Sequence, residues 1–201
     1  MSKRNEITRE LSRMVERKLA NETPYWVSEC NLNIRENNSA RVDYVAFTPS
    51  WGKGSEVSAA ELGRFDFYEV KSCMEDFKSG HGLNFEGDTN ILVCERELAD
   101  ELCRRRMFPK NCDKVLCPNK SRSALITVYT PNPGGLQSNR RCYPASHLLL
   151  CMMSRMAPYR AERTCRMIDN GVELCCSECD YRHAYNDEPK FCMGCGARVV
   201  Q

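Results

Sequence analysis

A carboxylate and an ammonium stand two residues apart at the end of an alternating segment. The stretch FDFYEVKS (65–72) has the alternation of apolar and polar residues of a half-buried strand, and it carries Glu69 and Lys71. Side chains two residues apart on a strand point to the same face, so these two groups are predicted to be neighbours. An edge strand protected by charge would show the same pattern. The alternative interpretation is a metal site that uses both groups, and this interpretation predicts a catalytic function.

A second carboxylate comes from the preceding alternating segment, RVDYVAF (41–47), which carries Asp43. Two adjacent strands would bring Asp43 and Glu69 to within a few ångströms of each other on one face. Paired carboxylates repel unless a divalent cation lies between them, and oxygen ligands of this kind suit Mg²⁺ or Mn²⁺. The carbonyl of Val70 would supply a further ligand, and Lys71 would orient an attacking water and stabilise charge developing on phosphorus.

The cysteine spacing near the C-terminus predicts a second metal. The segment CSECDYRHAYNDEPKFCMGCG (176–196) contains two CxxC pairs. Four thiolates at this spacing suit a closed, structural Zn²⁺ site, formed by Cys176, Cys179, Cys192 and Cys195. Cys175 and His183 are alternative ligands, but the four cysteines already complete a tetrahedral shell. Zinc ribbons of this kind bind nucleic acid or protein, and the sequence does not choose between these partners.

Charge is distributed unevenly along the chain. Residues 103–166 hold 13 Lys and Arg against 2 Asp and Glu, although the net charge of the whole chain is only +2. A basic segment between acidic flanks suits a phosphate-bearing partner, with DNA expected, and binding should then depend on salt. The alternative is a solvated surface that pairs with the acidic first half. The predicted phosphate contacts are Arg104, Arg105, Arg106, Lys110, Lys114, Lys120, Arg122, Arg140 and Arg141, with Phe108 and Tyr143 as possible stacking partners for bases.

The elements that must position these groups follow from hydrophobic periodicity. Apolar residues at helical spacing predict a helix over 5–21, and a second apolar helix follows residue 145. Strands are predicted over 25–34, 41–47, 64–72, 90–94 and 123–130, with a helix over 95–107, one weak helical turn after Lys71 and a connection of uncertain structure over 48–63. The predicted fold is an α/β sheet flanked by helices over 1–168, followed by a small zinc ribbon over 169–201.

The chain shows no secretory signal and no run of eighteen apolar residues, so a cytoplasmic protein is expected, without a membrane partner. In a reducing compartment its fourteen cysteines are thiols or metal ligands rather than a disulfide framework.

Asp43 in RVDYVAF, followed by Glu69-Val70-Lys71 in FYEVKS, resembles the PD-(D/E)XK nuclease superfamily. The stretch EVKSCMEDFKS is similar to the branch of MmcB-type DNA-repair proteins, in which the ExKS motif is followed by an Asp-Phe pair. Val42 stands where the family name has proline. The resemblance implies a restriction-endonuclease-like mixed sheet, built in the order helix, three strands, helix, strand. It also implies an Mg²⁺- or Mn²⁺-dependent endonuclease, a hydrolase of bacterial or phage type.

Family members often add a glutamate from the first helix, and Glu10 is predicted for this role, with Glu6 and Glu16 also available. The loop residues Lys78, His81 and Asn84 are weaker predictions for substrate contacts.

Two other classes of function stay open at this point. One is a non-catalytic adaptor or inhibitor of mobile-element origin that binds nucleic acid or protein through the ribbon and the basic surface. The other is a nucleic-acid-binding regulator without turnover.

Overall fold

A computed structural model describes residues 3–33, 40–51, 56–80, 82–83, 85–132, 141–162, 164–169, 171, 173–178, 182–183 and 198–200. The chain divides into two compact units, Met1–Met152 and Met153–Gln201, and the predicted ribbon lies within the second. Among the described helices, none combines the length and apolar character needed to cross a lipid bilayer.

The first unit is built on a six-stranded mixed sheet in which strand order follows chain order. Its strands are β1 (Trp26–Asn31), β2 (Arg41–Thr48), β3 (Arg64–Lys71), β4 (Thr89–Cys94), β5 (Lys114–Pro118) and β6 (Leu125–Tyr129). Its helices are α1 (Lys3–Glu22), α2 (Glu56–Glu61), α3 (Met74–Lys78), α4 (Arg96–Arg104) and α5 (Ala145–Glu162), the last of which extends across the boundary between the units. The predicted α/β sheet flanked by helices is therefore confirmed.

The sheet is parallel at its centre and antiparallel towards both edges. β1, β2 and β3 form an antiparallel meander, β3, β4 and β5 are parallel to one another, and β6 returns antiparallel to β5. The parallel pairings require crossover connections, and α3 and α4 lie in those two connections. The ends of β3 and β4 lie side by side, with Lys71 paired to Cys94.

Two apolar layers cover the two faces of this sheet. On one face, the buried stripe of α1, which includes Leu11, Val15 and Leu19, packs on Tyr68 and Val70 among others. On the other face, α3 and α4 pack against alternate residues of β4 and β5. Burial of apolar surface on both faces explains why β4 and β5 lack alternation of apolar and polar residues.

Where the second unit is described, it contains short strands and the end of α5. β8 (Met167–Asp169), β9 (Leu174–Cys176) and β10 (Arg182–His183) form an antiparallel sheet in the order β10-β9-β8. β7 (Thr164–Cys165) pairs in parallel with β11 (Arg198–Val199).

Candidate active site

The three side chains predicted to carry chemistry share one face of the sheet. β2 runs antiparallel to β3 with Tyr44 opposite Tyr68, and both tyrosines belong to the layer covered by α1. The neighbouring positions on each strand therefore point to the other face. Asp43 and Glu69 come from adjacent strands there, and Lys71 lies one pleat further along β3.

Two hydrogen bonds fix this arrangement. The backbone N–H of Val70 donates to Asp43 Oδ2 at 2.8 Å, so the carboxylate of Asp43 is held against β3. Lys71 Nζ donates to Glu69 Oε1, also at 2.8 Å. The side chain of Val70 points into the α1 layer, and the role of its carbonyl oxygen as a metal ligand stays a prediction.

Glu69 is a buried carboxylate with one unsatisfied oxygen. The residue is 3% exposed, the side chain of Lys71 is 5% exposed, and Glu69 Oε2 has no hydrogen-bond partner among the described residues. Burial, with a further contribution from the negative charge of Asp43, raises the pKa of Glu69 to about 8, although Lys71 opposes the shift. Buried polar atoms are nearly always paired, so the free oxygen points to a ligand of this site.

The pKa of Asp43 is raised as well. Burial raises the pKa of Asp43 above its usual value, while the Val70 N–H and the charge of Lys71 act against the rise. Two adjacent carboxylates that resist ionisation when metal-free are the donor set that an oxygen-ligated divalent ion would stabilise. Within the described part of the chain, no three Asp, Glu, His or Cys side chains are grouped tightly enough to hold a metal ion. Mg²⁺ is often held by only one or two carboxylates together with water and phosphate oxygens.

Asp76 is a further acidic residue that sequence reasoning assigned no role of its own. Its Oδ2 accepts from both the backbone N–H and the hydroxyl of Ser72, each at 3.1 Å, and so fixes the turn directly after Lys71. Its charge also contributes to the raised pKa of Asp43, after burial. The sequence did contain a signal for this contact: Asp76 follows Ser72 by four residues at the start of α3. This spacing resembles a capping box, in which the carboxylate follows the serine by three residues.

Gly82 lies directly against the carboxylate of Glu69. Its φ is +78°, and a Cβ at this position would lie 1.9 Å from Glu69 Oε1. Gly80, two residues earlier, has a similar φ of +71° but open space around its Cβ direction. Only Gly82 therefore needs glycine both for its backbone conformation and for its close approach to the site.

This pair of glycines gives a matched test. We expect Gly80→Ala to lose about 1 kcal/mol of unfolding free energy from the left-handed backbone alone, with Mn²⁺ affinity unchanged. Gly82→Ala should show a similar or larger loss, together with at least about a tenfold loss of Mn²⁺ affinity, because the new methyl group displaces the Glu69 carboxylate. Urea denaturation and Mn²⁺ titration measure the two effects, and equal Mn²⁺ affinity in both variants would show that this contact does not matter for binding.

Glu10 is engaged in an ion-pair cluster. Arg122, in the turn between β5 and β6, donates to Glu10 and also binds Glu95 through two nitrogens at 2.8 and 3.1 Å. The hydrogen bond from Arg122 holds the pKa of Glu10 below its usual value. Glu95 directly follows Cys94, the partner of Lys71, so the cluster joins α1 and the β5–β6 turn to the sheet end where Lys71 lies. The role of Glu10 as a metal ligand stays a prediction.

Three of the predicted phosphate contacts bind other parts of the protein. Arg141 donates to the carbonyl oxygens of Gly63 and Glu61, and its guanidinium lies 5.3 Å from the centre of the Phe65 ring. Arg105 pairs with Glu101, and Arg122 is bound as above. The exposed basic residues that remain for phosphate are Arg104, Arg106, Lys110, Lys114 and Lys120. Arg140 lies outside the described residues.

The two aromatic side chains predicted to stack on bases pack against other rings of the protein. Phe108 packs against Tyr129, with ring centres 5.5 Å apart, and Tyr143 stacks on His147 at 5.0 Å. Both rings therefore have partners within the protein. Lys78 is exposed at the end of α3, whereas His81 and Asn84 lie outside the described residues.

Of the four predicted zinc ligands, Cys176 is the one that lies within the described residues. It is fully buried beside Cys165, and its sulfur accepts the backbone N–H of Glu178 at 3.4 Å. An amide that donates to sulfur favours the thiolate, the form that binds metal. The other predicted ligands, Cys179, Cys192 and Cys195, lie outside the described residues.

Comparison with known proteins identifies no family. No protein-family model and no curated protein matches the chain. Among solved structures, it is similar to the SPO1766 protein of unknown function from Silicibacter pomeroyi, with 16% identity over 76% of this chain and 88% of that one, and a TM-score of 0.46. A similarity at this level supports neither a fold assignment nor a function.

Proposed function

We propose that this protein is a metal-dependent nuclease that hydrolyses phosphodiester bonds in nucleic acid, with DNA as the expected substrate. The observation that carries the proposal is the convergence of Asp43, Glu69 and Lys71 on one face of the sheet, with a buried carboxylate oxygen of Glu69 left unpaired. Buried, adjacent carboxylates beside a lysine have shifted pKa values, and such shifts are concentrated at catalytic and binding sites.

The order and direction of the elements agree with a restriction-endonuclease-like fold. α1 is followed by the antiparallel meander β1-β2-β3, then by the short helix α3 and by β4, which is parallel to β3. Apart from α2, which lies between β2 and β3, this is the order that the PD-(D/E)XK resemblance implies. The same proposal includes a zinc ribbon in the second unit, to which a nucleic-acid or protein partner would bind.

Each residue of the site has a distinct role in the proposed mechanism. Asp43 and Glu69, with the carbonyl of Val70, would hold Mg²⁺ or Mn²⁺. When bound, such an ion polarises a phosphoryl oxygen and lowers the pKa of a bound water. Lys71 presents its ammonium beside Glu69, where it orients the attacking water and stabilises negative charge that develops on the phosphoryl group. Asp76 acts through Ser72 as a positioning residue for Lys71.

A cleavage assay tests this proposal directly. Purified protein with Mn²⁺ or Mg²⁺ is incubated with single-stranded, double-stranded and branched DNA, and with RNA. We expect cleavage of at least one substrate that disappears with EDTA. Absence of cleavage on all of them, together with absence of Mn²⁺ binding, would overturn the nuclease proposal.

Metal affinity should rise with pH. Glu69 must lose its proton to bind a cation, and its metal-free pKa is about 8, so the protonated form dominates below that value. We expect apparent Mn²⁺ affinity to rise by up to about tenfold per pH unit from pH 6 to 8 and then to level off. Calorimetric titrations at four pH values between 6 and 8.5 measure this slope, and a flat profile would contradict the role of Glu69 as ligand.

A non-catalytic adaptor is the second candidate, and specific contacts favour it. Lys71 already occupies one oxygen of Glu69 in a buried contact, and Arg105, Arg122 and Arg141 are bound within the protein. Such an adaptor would bind zinc but neither Mg²⁺ nor Mn²⁺ at Asp43 and Glu69. The Mn²⁺ titration therefore separates the two functions without any assumption about substrate.

A further inference from the structure

A cleft of about 330 Å³ lies on the sheet face that α1 covers, near the beginning of β3. The carboxylate pair, by contrast, lies on the other face and towards the end of β3. The C-terminal part of α1 forms one wall of the cleft through Lys18 and Glu22, and Arg64, Asp66, Tyr68 and Lys114 contribute its other charged and polar groups. The volume is within the range of small-molecule sites.

Four of the charged groups in this cleft neutralise one another. Lys18 pairs with Glu22 at 2.5 Å, and Arg64 binds both carboxylate oxygens of Asp66, at 2.9 and 3.0 Å. Lys114, the first residue of β5, forms no ion pair with a carboxylate of the described residues. The cleft therefore has one positive charge in excess.

Tyr68 brings a hydroxyl to the same cleft. The residue is 3% exposed, it lines the cleft, and its hydroxyl has no hydrogen-bond partner among the described residues. Its neighbour on β2, Tyr44, lies on the same face but donates to Glu16 at 3.1 Å. A hydroxyl that lines a cleft without a partner in the described protein is available to donate to a ligand there, and in this respect Tyr68 differs from Tyr44.

The register of the sheet brings the excess cation and the free hydroxyl to opposite sides of one apolar position. Tyr68 pairs with Ile91, and Ile91 pairs with Lys114. Two strand spacings separate Tyr68 from Lys114 by about 10 Å at the backbone, a span that a phenol and a lysine side chain can close around a small group. Ile91 and Leu116 provide an apolar floor.

We propose that this cleft binds a small organic oxyanion, either a carboxylate or a phosphate monoester. Lys114 supplies the charge, the hydroxyl of Tyr68 donates to an anionic oxygen, and the organic part of the ligand lies over Ile91 and Leu116. The site is separate from Asp43, Glu69 and Lys71, because it lies on the opposite face of the sheet, and it shares only Lys114 with the predicted phosphate contacts.

Phenyl phosphate and phenylacetate serve as probes, each titrated by calorimetry in EDTA so that no divalent ion contributes. We expect saturable binding of at least one of them, and the preferred probe distinguishes a phosphate ligand from a carboxylate ligand. Tyr68→Phe and Lys114→Gln should each weaken that binding by about tenfold. Arg96→Gln, which removes an exposed basic group of α4 on the other face of the sheet, should leave it unchanged.

Three results would overturn the proposal. They are absence of saturable binding for both probes, equal binding by the Lys114→Gln variant and the unaltered protein, and equal binding of the neutral probe benzyl alcohol. Lys114 is exposed, so its variant keeps the test decisive even if Tyr68→Phe does not fold. None of these results depends on cleavage activity, so they leave the nuclease proposal to its own assay.

Discussion

We expect replacement of Lys71 by methionine to lower the proposed divalent-dependent cleavage by at least about a hundredfold, the loss expected when one group that stabilises transition-state charge is removed. Methionine retains most of the volume of the buried lysine stem, so the change removes mainly the ammonium. Initial rates on the best DNA substrate, compared with those of the unaltered protein at saturating Mn²⁺, measure the effect.

Lys18→Met is the matched control, because Lys18 is a lysine of α1 on the sheet face opposite Glu69, and this variant should keep at least about half of the activity. Loss of the Lys71 ammonium leaves Glu69 buried without its partner, which is destabilising in the metal-free protein. Circular dichroism and Mn²⁺ titration therefore accompany the assay. A folded Lys71→Met variant that binds Mn²⁺ and cleaves at the normal rate would rule out the proposed mechanism.

Replacement of Cys176 by serine should reduce the zinc content from about one ion per chain to nearly none, since a structural site depends on all four of its thiolates. Because zinc supplies most of the folding free energy of such small modules, on the order of 10 kcal/mol, the second unit should also lose its ordered structure. Elemental analysis of purified protein measures the zinc, and the susceptibility of residues after 153 to protease measures the structure.

Cys175→Ser separates a metal ligand from a neighbouring thiol. Cys175 precedes Cys176 in β9 and is only partly buried, so its serine variant should retain zinc. Retention of zinc by both variants would exclude Cys176 as a ligand, and loss of zinc from both would indicate that the ligand spacing was misassigned.

The strands that carry the site were predictable because their sequences still alternate. RVDYVAF and RFDFYEVK place Asp43 and Glu69 correctly in β2 and β3, and α1 extends the predicted 5–21 helix by a few residues to Lys3–Glu22. β5 was missed. It is only five residues long, and Val115, Leu116 and Cys117 are all buried, so it lacks the period of two that reveals a half-buried strand. The short helix α2 was likewise not predicted within the 48–63 connection.

The detail of the site depended on contacts distant in sequence. The proximity of Gly82 to Glu69 arises from the path of the loop after α3, and no local pattern encodes it. The same is true of Arg141, which is separated by 78 residues from Gly63, one of its partners. Glu10 was predicted from its place beside the apolar stripe of α1, but its contact with Arg122 spans 112 residues. Periodicity reports which face a residue occupies, whereas these partners depend on tertiary structure.

The strict match between strand order and chain order has a consequence for how the chain acquires its structure during synthesis. Each strand from β2 to β6 pairs with the strand that left the ribosome immediately before it, so the sheet can grow at one edge without inserting a strand between two others. Pairings between sequence neighbours keep loop-closure entropy low. We therefore expect nascent chains that end after β3 to contain the β1-β2-β3 meander already, with Asp43 beside Glu69 before the crossover strands emerge.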